Sequence, residues 1–106
     1  MPFVRTAQKY DVFLTASDGK PGARIVIYSS DCTLQLVFSD SAGSSASASY
    51  EATTKTGFVI MPMSQYMIYL DLLRNEKPVY VNFITEAAPP SFEVFCQNEP
   101  TGEGEK

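Results

Sequence analysis

The sequence predicts an α+β domain that is mainly β: a small antiparallel sheet of about six to seven short strands, barrel- or sandwich-like, with one helix near residues 64–74. Three observations lead to this expectation. Apolar and polar residues alternate with the two-residue period of a strand in several short runs, each run stops at turn-forming residues, and a single segment has helical spacing. At 106 residues, of which 44% are apolar, the chain has material for one core.

The first third of the chain predicts three strands separated by tight turns. Residues 10–16 are rich in β-forming side chains and end at residues 17–22, where two glycines and a proline favour a turn. Residues 23–29 and 33–38 each alternate between two faces. Because the link between them is short, these two runs predict an antiparallel hairpin.

The composition changes abruptly at residues 39–49, which are all serine, alanine, glycine or aspartate. Such small side chains cannot hold a core, so this segment predicts a flexible Ser/Ala loop. Two further strands are expected at residues 50–55 and 58–61. Pro62 then ends the second strand, because proline has no N–H to donate to a neighbouring strand.

Residues 64–74 are the segment with helical spacing. Ser64 is a suitable N-cap, and Arg74 lies where the negative end of the helix dipole favours a cation. The alternative is a strand, because residues 66–72 also alternate and residues 75–76 could form the tip of a hairpin. We prefer the helix, while the periodicity of so short an apolar run leaves both readings open.

The last part of the chain predicts two more strands and a tail. Residues 79–85 alternate, residues 87–90 form a break with two prolines, and residues 92–96 alternate again. From residue 98 onward the chain is polar and acidic, with nothing to bury. The expected organisation is therefore a single β-rich domain over residues 1–97 and a disordered acidic tail over residues 98–106.

Charge and hydropathy argue against several classes of partner. Eight basic and twelve acidic residues give a net charge of −4, whereas proteins that bind duplex nucleic acid usually present a basic face. The sequence has no apolar run of the length that crosses a membrane, and its start does not have the layout of a signal peptide. We therefore expect a cytoplasmic protein that binds neither duplex nucleic acid nor membranes.

The residue types available also argue against most catalytic chemistry. Histidine is absent, and histidine is the commonest general base at neutral pH and the commonest zinc ligand. Cys32 and Cys96 cannot complete a four-ligand zinc site alone, and each lies in or beside an apolar run. We expect two buried thiols rather than a disulfide, no metal, no cofactor and no enzymatic activity.

Acidic residues leave a carboxylate pair as the remaining catalytic possibility. Nearly all the candidates lie in predicted turns or on polar strand faces, where acids normally serve solubility: Asp11, Asp31, Asp40, Glu51, Asp71, Glu86 and Glu93. Asp71 is expected to pair with Arg74 three residues later on the helix. Asp18 with Asp31 or Asp40 could hold calcium, but solvated turn carboxylates are the favoured interpretation because the spacing of a calcium-binding loop is absent.

The leading functional hypothesis is a non-enzymatic interaction module that forms a homodimer or binds another protein. Open sheets leave apolar edges or faces that something has to cover, and a second copy is the simplest cover. The predicted edge is residues 58–61 and the predicted two-sided strand is residues 79–84. The candidate self-association residues are Phe58, Ile60, Val79, Val81 and Phe83.

Two other functions stay open. An aromatic sheet face could stack single-stranded bases, a mode that needs fewer basic groups than duplex binding, and its candidate residues are Arg24, Tyr28, Lys77 and Tyr80. The net charge has the wrong sign for this function, so ordinary packing of these aromatics is favoured. A small-ligand-binding protein or enzyme with a carboxylate or aromatic pocket is the third hypothesis.

Overall fold

A computed structural model describes residues 2–17, 20–39, 47–86 and 89–96, and these ranges contain eight strands and one α-helix. The strands are β1 (Phe3–Thr6), β2 (Lys9–Ser17), β3 (Lys20–Tyr28), β4 (Thr33–Ser39), β5 (Ser47–Glu51), β6 (Thr56–Met61), β7 (Tyr80–Ile84) and β8 (Ser91–Phe95). A short 3-10 helix, Met63–Gln65, leads into the helix α1 (Tyr66–Asn75). The predicted α+β, mainly β fold is confirmed.

The strands form two open sheets that face each other, so the arrangement is sandwich-like and neither sheet closes into a barrel. The larger sheet has the order β2-β3-β4-β6-β5, and the smaller has the order β1-β7-β8. Every neighbouring pair is antiparallel except β4 and β6, which are parallel. The predicted hairpin between residues 23–29 and 33–38 is the β3–β4 pair.

The chain passes from the small sheet to the large one between β1 and β2. The backbone N–H of Ala7 donates to the Val79 carbonyl at 2.8 Å, which continues the β1–β7 ladder. The next N–H, from Gln8, donates to the Tyr28 carbonyl in β3, also at 2.8 Å. A bend of this kind lets one nearly continuous run of chain hold both sheets together.

The core lies between the sheets and consists of alternate residues from their facing sides. Phe83 in β7 is fully buried and contacts aromatic rings from both sheets. Its ring stacks on Phe3 at 4.9 Å between centroids and meets Phe92 and Tyr50 edge-on at 5.1 and 5.9 Å. The other buried apolar residues of this cluster come mainly from β3, β4 and β7: Ala23, Ile25, Ile27, Cys32, Leu34, Leu36, Phe38, Met61, Leu73, Val79 and Val81.

The helix predicted at residues 64–74 is confirmed as α1, which the 3-10 turn precedes, but Ser64 lies inside that turn and is not an N-cap. It packs on the end of β4, where the Phe38 ring lies 5.5 Å from Tyr66 and 5.9 Å from Tyr69. The predicted ion pair on its surface also forms, with Arg74 Nη2 at 2.9 Å from Asp71 Oδ1. No helix in the described ranges is long and apolar enough to cross a lipid bilayer.

Three local expectations need correction. The strand predicted at residues 50–55 ends at Glu51, because residues 52–55 form a turn in which Lys55 has a positive φ of 52°. The loop predicted at residues 39–49 is shorter, since Ser39 ends β4 and residues 47–49 begin β5, while residues 40–46 lie outside the described ranges. The apolar edge predicted at residues 58–61 is wrong, because β6 lies between β4 and β5.

Strand β1 was not predicted, and it completes the small sheet beside β7. The acidic tail predicted at residues 98–106 lies outside the described ranges.

Candidate functional site

Strand β2 is the long free edge of the larger sheet. It pairs with β3 on one side, and in the described part of the chain no strand pairs with its other side. It has nine residues, whereas the other edge strands, β5, β1 and β8, have five, four and five. Short edge strands are one way in which proteins avoid unwanted pairing, so β2 is the edge that lacks this protection.

The middle of β2 carries three consecutive apolar residues that remain exposed. Val12, Phe13 and Leu14 have 38%, 41% and 73% of their surface accessible. Successive residues of a strand point to opposite faces, and Val12 and Leu14 pair with the buried residues Ile25 and Ala23 of β3. The Val12 and Leu14 side chains therefore lie on the core side of the sheet, beyond the area that the described residues cover. The Phe13 side chain lies on the outer face.

The charged residues of β2 lie near its start and interact with β3. The Lys9 ammonium lies over the Tyr28 ring, 5.2 Å from its centroid. The Tyr28 hydroxyl donates a hydrogen bond to the Asp11 carboxylate, which raises the pKa of the Tyr28 hydroxyl. At the centre of the strand, the Arg24 guanidinium lies 4.5 Å from the Phe13 centroid in a cation–π contact. The two charged side chains of β2 therefore lie outside its exposed apolar centre, which consists of Val12, Phe13 and Leu14.

The four residues predicted to form a nucleic-acid face do not lie on one surface. Arg24 and Tyr28 are on the outer face of the larger sheet, because they alternate with buried residues of β3. Tyr80 alternates with Val79 and Val81 and so faces outward from the smaller sheet, where its ring stacks on Phe95 at 5.5 Å. Lys77 lies in the link between α1 and β7. The four candidates therefore divide into two groups, Arg24 with Tyr28 and Lys77 with Tyr80, that do not share one face.

The predicted self-association residues also separate into two groups. Val79, Val81 and Phe83 are buried in the chain's own core, so they cannot form an exposed contact face. Phe58 and Ile60 lie on the outer face of β6, where Phe58 is half-buried and Ile60 is 39% exposed. The prediction is wrong for the first group, and the second group contributes to an outer face but not to an edge.

Among the predicted acids, Asp31 joins three segments of the chain. It lies in the link between β3 and β4, and its Oδ1 accepts from Arg5 Nε of β1 at 2.9 Å. Its Oδ2 accepts from Arg5 Nη2 and from Lys55 Nζ, each at 3.3 Å. The hydrogen bond from Arg5, helped by Lys55, lowers the pKa of the Asp31 carboxyl from its ordinary 3.8 to about 2. This cluster connects the two sheets, which is a structural role.

Replacing Asp31 with asparagine is expected to lower stability at neutral pH and to flatten its dependence on acid. Because the folded pKa lies below the unfolded one, the carboxylate stabilises the fold above about pH 4, and this contribution is lost as the pH falls toward about 2. The effect should be modest and weaker in high salt, since the pair is more than a third exposed.

Urea unfolding at a series of pH values measures this effect. The matched variant Arg5→Gln should remove the larger part of this pH dependence, because Lys55 still contacts Asp31, and the double variant should remove no more than Asp31→Asn alone. Equal acid dependence in Asp31→Asn and the unchanged chain would contradict the assignment.

The remaining predicted site residues do not assemble into a cavity of converging polar groups. An open groove of about 410 Å³ runs between residues 6–10 and the end of α1, and Glu76 is the carboxylate that lines it. A second groove of about 430 Å³ beside α1 contains Asp71, which already pairs with Arg74. In the described residues, no three potential metal ligands of the His, Cys, Asp or Glu types come together. Asp18 and Asp40 of the calcium hypothesis lie outside those residues.

In the described part of the chain, no disulfide joins Cys32 and Cys96. Cys32 is buried, as expected, and its burial raises the pKa of its thiol. Cys96 is half-buried.

Sequence reasoning did not identify Val12, Phe13 and Leu14 as surface residues, although a signal was present. Three adjacent apolar residues place apolar side chains on both faces of a strand, and in a sheet that is covered on one face at least one of these side chains stays exposed. The exposed apolar centre of β2 makes this edge strand the candidate interaction site. No protein-family model, curated protein or solved structure matches this chain.

Proposed function

We propose that this protein is a non-enzymatic interaction module that forms a homodimer through the edge strand β2. The observation that carries the proposal is the exposure of Val12, Phe13 and Leu14 at the centre of a nine-residue unpaired edge. In water this edge presents both apolar surface and unpaired backbone N–H and C=O groups. Pairing with another strand satisfies the backbone groups and buries the side chains in one step.

A second copy of the chain suits this edge for reasons of charge and symmetry. The exposed centre is apolar, and the Lys9 and Asp11 side chains already interact with Tyr28, so a partner of opposite charge is not required. An antiparallel strand can pair with its own copy about a two-fold axis, which gives a closed dimer and leaves no further β2 edge free for growth. Each apolar Å² removed from water contributes about 25 cal/mol, so Leu14, the most exposed of the three, should matter most.

Substituting Leu14 by lysine tests the proposal. We expect the unchanged protein to be a dimer at tens of micromolar and Leu14→Lys to be a monomer, because a charged lysine replaces the most exposed apolar side chain of the edge, and lysine on an edge strand opposes pairing with another strand. Multi-angle light scattering after size-exclusion chromatography measures the mass directly. The matched control is Val4→Lys: Val4 is 49% exposed on β1, an edge of the other sheet, and this variant should stay dimeric.

Circular dichroism should show the same strand content in both variants, so that loss of the dimer is not confused with loss of the fold. A monomeric unchanged protein at tens of micromolar would refute self-association.

Single-stranded nucleic-acid binding is the alternative proposal, and it would have to use the outer face of the larger sheet alone. Phe13, Arg24 and Tyr28 share that face, but the Arg24 guanidinium contacts Phe13, and Lys9 lies over Tyr28. Base stacking would have to displace these contacts. Binding to mixed oligonucleotides that weakens steeply with salt would favour this alternative over the dimer.

A further inference from the structure

The pattern of residues along β2 also indicates how two copies would pair, an inference that rests on the proposed function. We infer that the two β2 strands pair antiparallel about a two-fold axis at Phe13, so that Phe13 of one copy lies opposite Phe13 of the second copy. Val12 of each copy then lies opposite Leu14 of the other. The larger sheets of the two copies become one continuous sheet.

The length of the ladder favours an axis at Phe13. Phe13 is the midpoint of Lys9–Ser17, so an axis at this residue pairs every residue of β2 with a residue of the second β2. Moving the axis toward either end leaves residues of both copies unpaired. On the N-terminal side the ladder cannot extend past Gln8, because the chain there turns toward the small sheet. The register at Phe13 is therefore the one that satisfies the most backbone groups.

The charges of β2 also favour this axis. With the axis at Phe13, Lys9 lies opposite Ser17 and Asp11 lies opposite Thr15, so no like charges face each other. An axis at Asp11 would place two carboxylates directly opposite, which is destabilising in an antiparallel pair. An axis still closer to Gln8 would shorten the ladder further.

The apolar side chains on each face match across an axis at Phe13. On the core side, Val12 and Leu14 cover one another across the axis, and these are the residues that a single copy leaves exposed. On the outer face the two Phe13 rings meet as an aromatic cross-strand pair. The Arg24 guanidiniums lie on β3 of each copy, three strand spacings or roughly 14 Å apart, so their repulsion is largely screened at physiological salt.

Disulfide cross-linking measures the register. Residues directly opposite in an antiparallel pair have Cα atoms about 4.5–5.5 Å apart, within reach of a disulfide, whereas residues two positions out of register are roughly 8 Å apart and are not. The experiment uses the full chain with Cys96→Ala and retains the buried Cys32. Leu14→Cys and Val12→Cys are made as separate proteins, because neither changes the residue at the axis.

After mild oxidation, a mixture of Val12→Cys and Leu14→Cys should give the covalent dimer on non-reducing gels, while either variant alone should give at least roughly ten-fold less. Phe13→Cys alone should cross-link with itself, and Asp11→Cys and Thr15→Cys alone should not. Light scattering on each reduced variant shows whether the dimer is present before oxidation.

The outcomes separate the two proposals. A dimer that cross-links best at another position, or not at all in the mixture, overturns the register and leaves self-association intact. A protein that is monomeric by light scattering before any substitution in β2 overturns both.

Discussion

Phe83→Ala is expected to lower the free energy of unfolding by about 3–5 kcal/mol, which would leave a domain of this size marginally folded. The Phe83 side chain is 0% exposed and contacts the rings of Phe3, Tyr50 and Phe92. These three rings come from β1, β5 and β8, so Phe83 is the point at which both sheets meet. Removing the ring leaves a cavity between the two sheets and takes away its contacts with both of them.

Urea denaturation followed by circular dichroism measures this loss. Phe95→Ala is the matched control, because it makes the same chemical change on the strand next to β7, at a half-buried site on the outer face. We expect less than half the loss there. Equal losses at the two positions would show that Phe83 does not hold the sheets together.

Gly57→Ala is expected to destabilise the protein by about 1–3 kcal/mol, although alanine normally stabilises a strand relative to glycine. A Cβ at position 57 would lie 2.6 and 2.8 Å from two ring carbons of Phe92 and 3.1 Å from Leu34 Cδ1. The Phe92 ring is held by its edge contact with Phe83, so it cannot move away freely. Glycine is required in β6 because the opposite sheet approaches its backbone this closely.

Gly22→Ala is the matched control in the same sheet. A Cβ there would have ordinary contacts, the nearest atom being the Phe38 carbonyl oxygen at 3.6 Å, so the substitution should be neutral or slightly stabilising. In the background Phe92→Leu, which replaces the ring with a shorter side chain, Gly57→Ala should cost less than in the unchanged protein. Additive effects of the two substitutions would mean that the ring is not the obstacle.

Alternation along the sequence was enough to predict the strands whose two faces have different surroundings. Residues 79–85 and 33–38 each have every second residue in the core, and the structure has strands at both places. The helix at 64–74 was harder, because an apolar run of that length fits both periods. The strand alternative is excluded by the contacts of Tyr66 and Tyr69, three residues apart, with the same Phe38 ring.

Elements that depend on distant parts of the chain could not be predicted in the same way. Strand β1 has four residues, too few for a period, and its partner is β7. Strand β5 is built from Ser47–Glu51, a sequence with little β propensity, and is held by its ladder with β6. The parallel pairing of β4 and β6 is a matter of topology, which local patterns do not report.

The candidate site could be predicted only in part, because its position depends on how distant strands are arranged. The sequence indicated that this small β-rich chain would leave an apolar edge, but it placed that edge at residues 58–61 instead of at β2. Which strand lies at an edge depends on the order of strands in the sheet, and the spacing of apolar residues does not predict this order. The same reason explains why Tyr28 and Tyr80, both correctly read as strand residues, belong to different sheets.

The change of sheet at Ala7 and Gln8 affects how the chain can fold as it is made. Strand β1 leaves the ribosome before its hydrogen-bonding partner β7, which emerges only after all of the larger sheet and α1. Pairings between residues so far apart in sequence form slowly, because a long loop has to close first. During synthesis the larger sheet can therefore assemble while one of its faces still lacks cover, and nascent chains in this state are the ones that chaperones would have to protect.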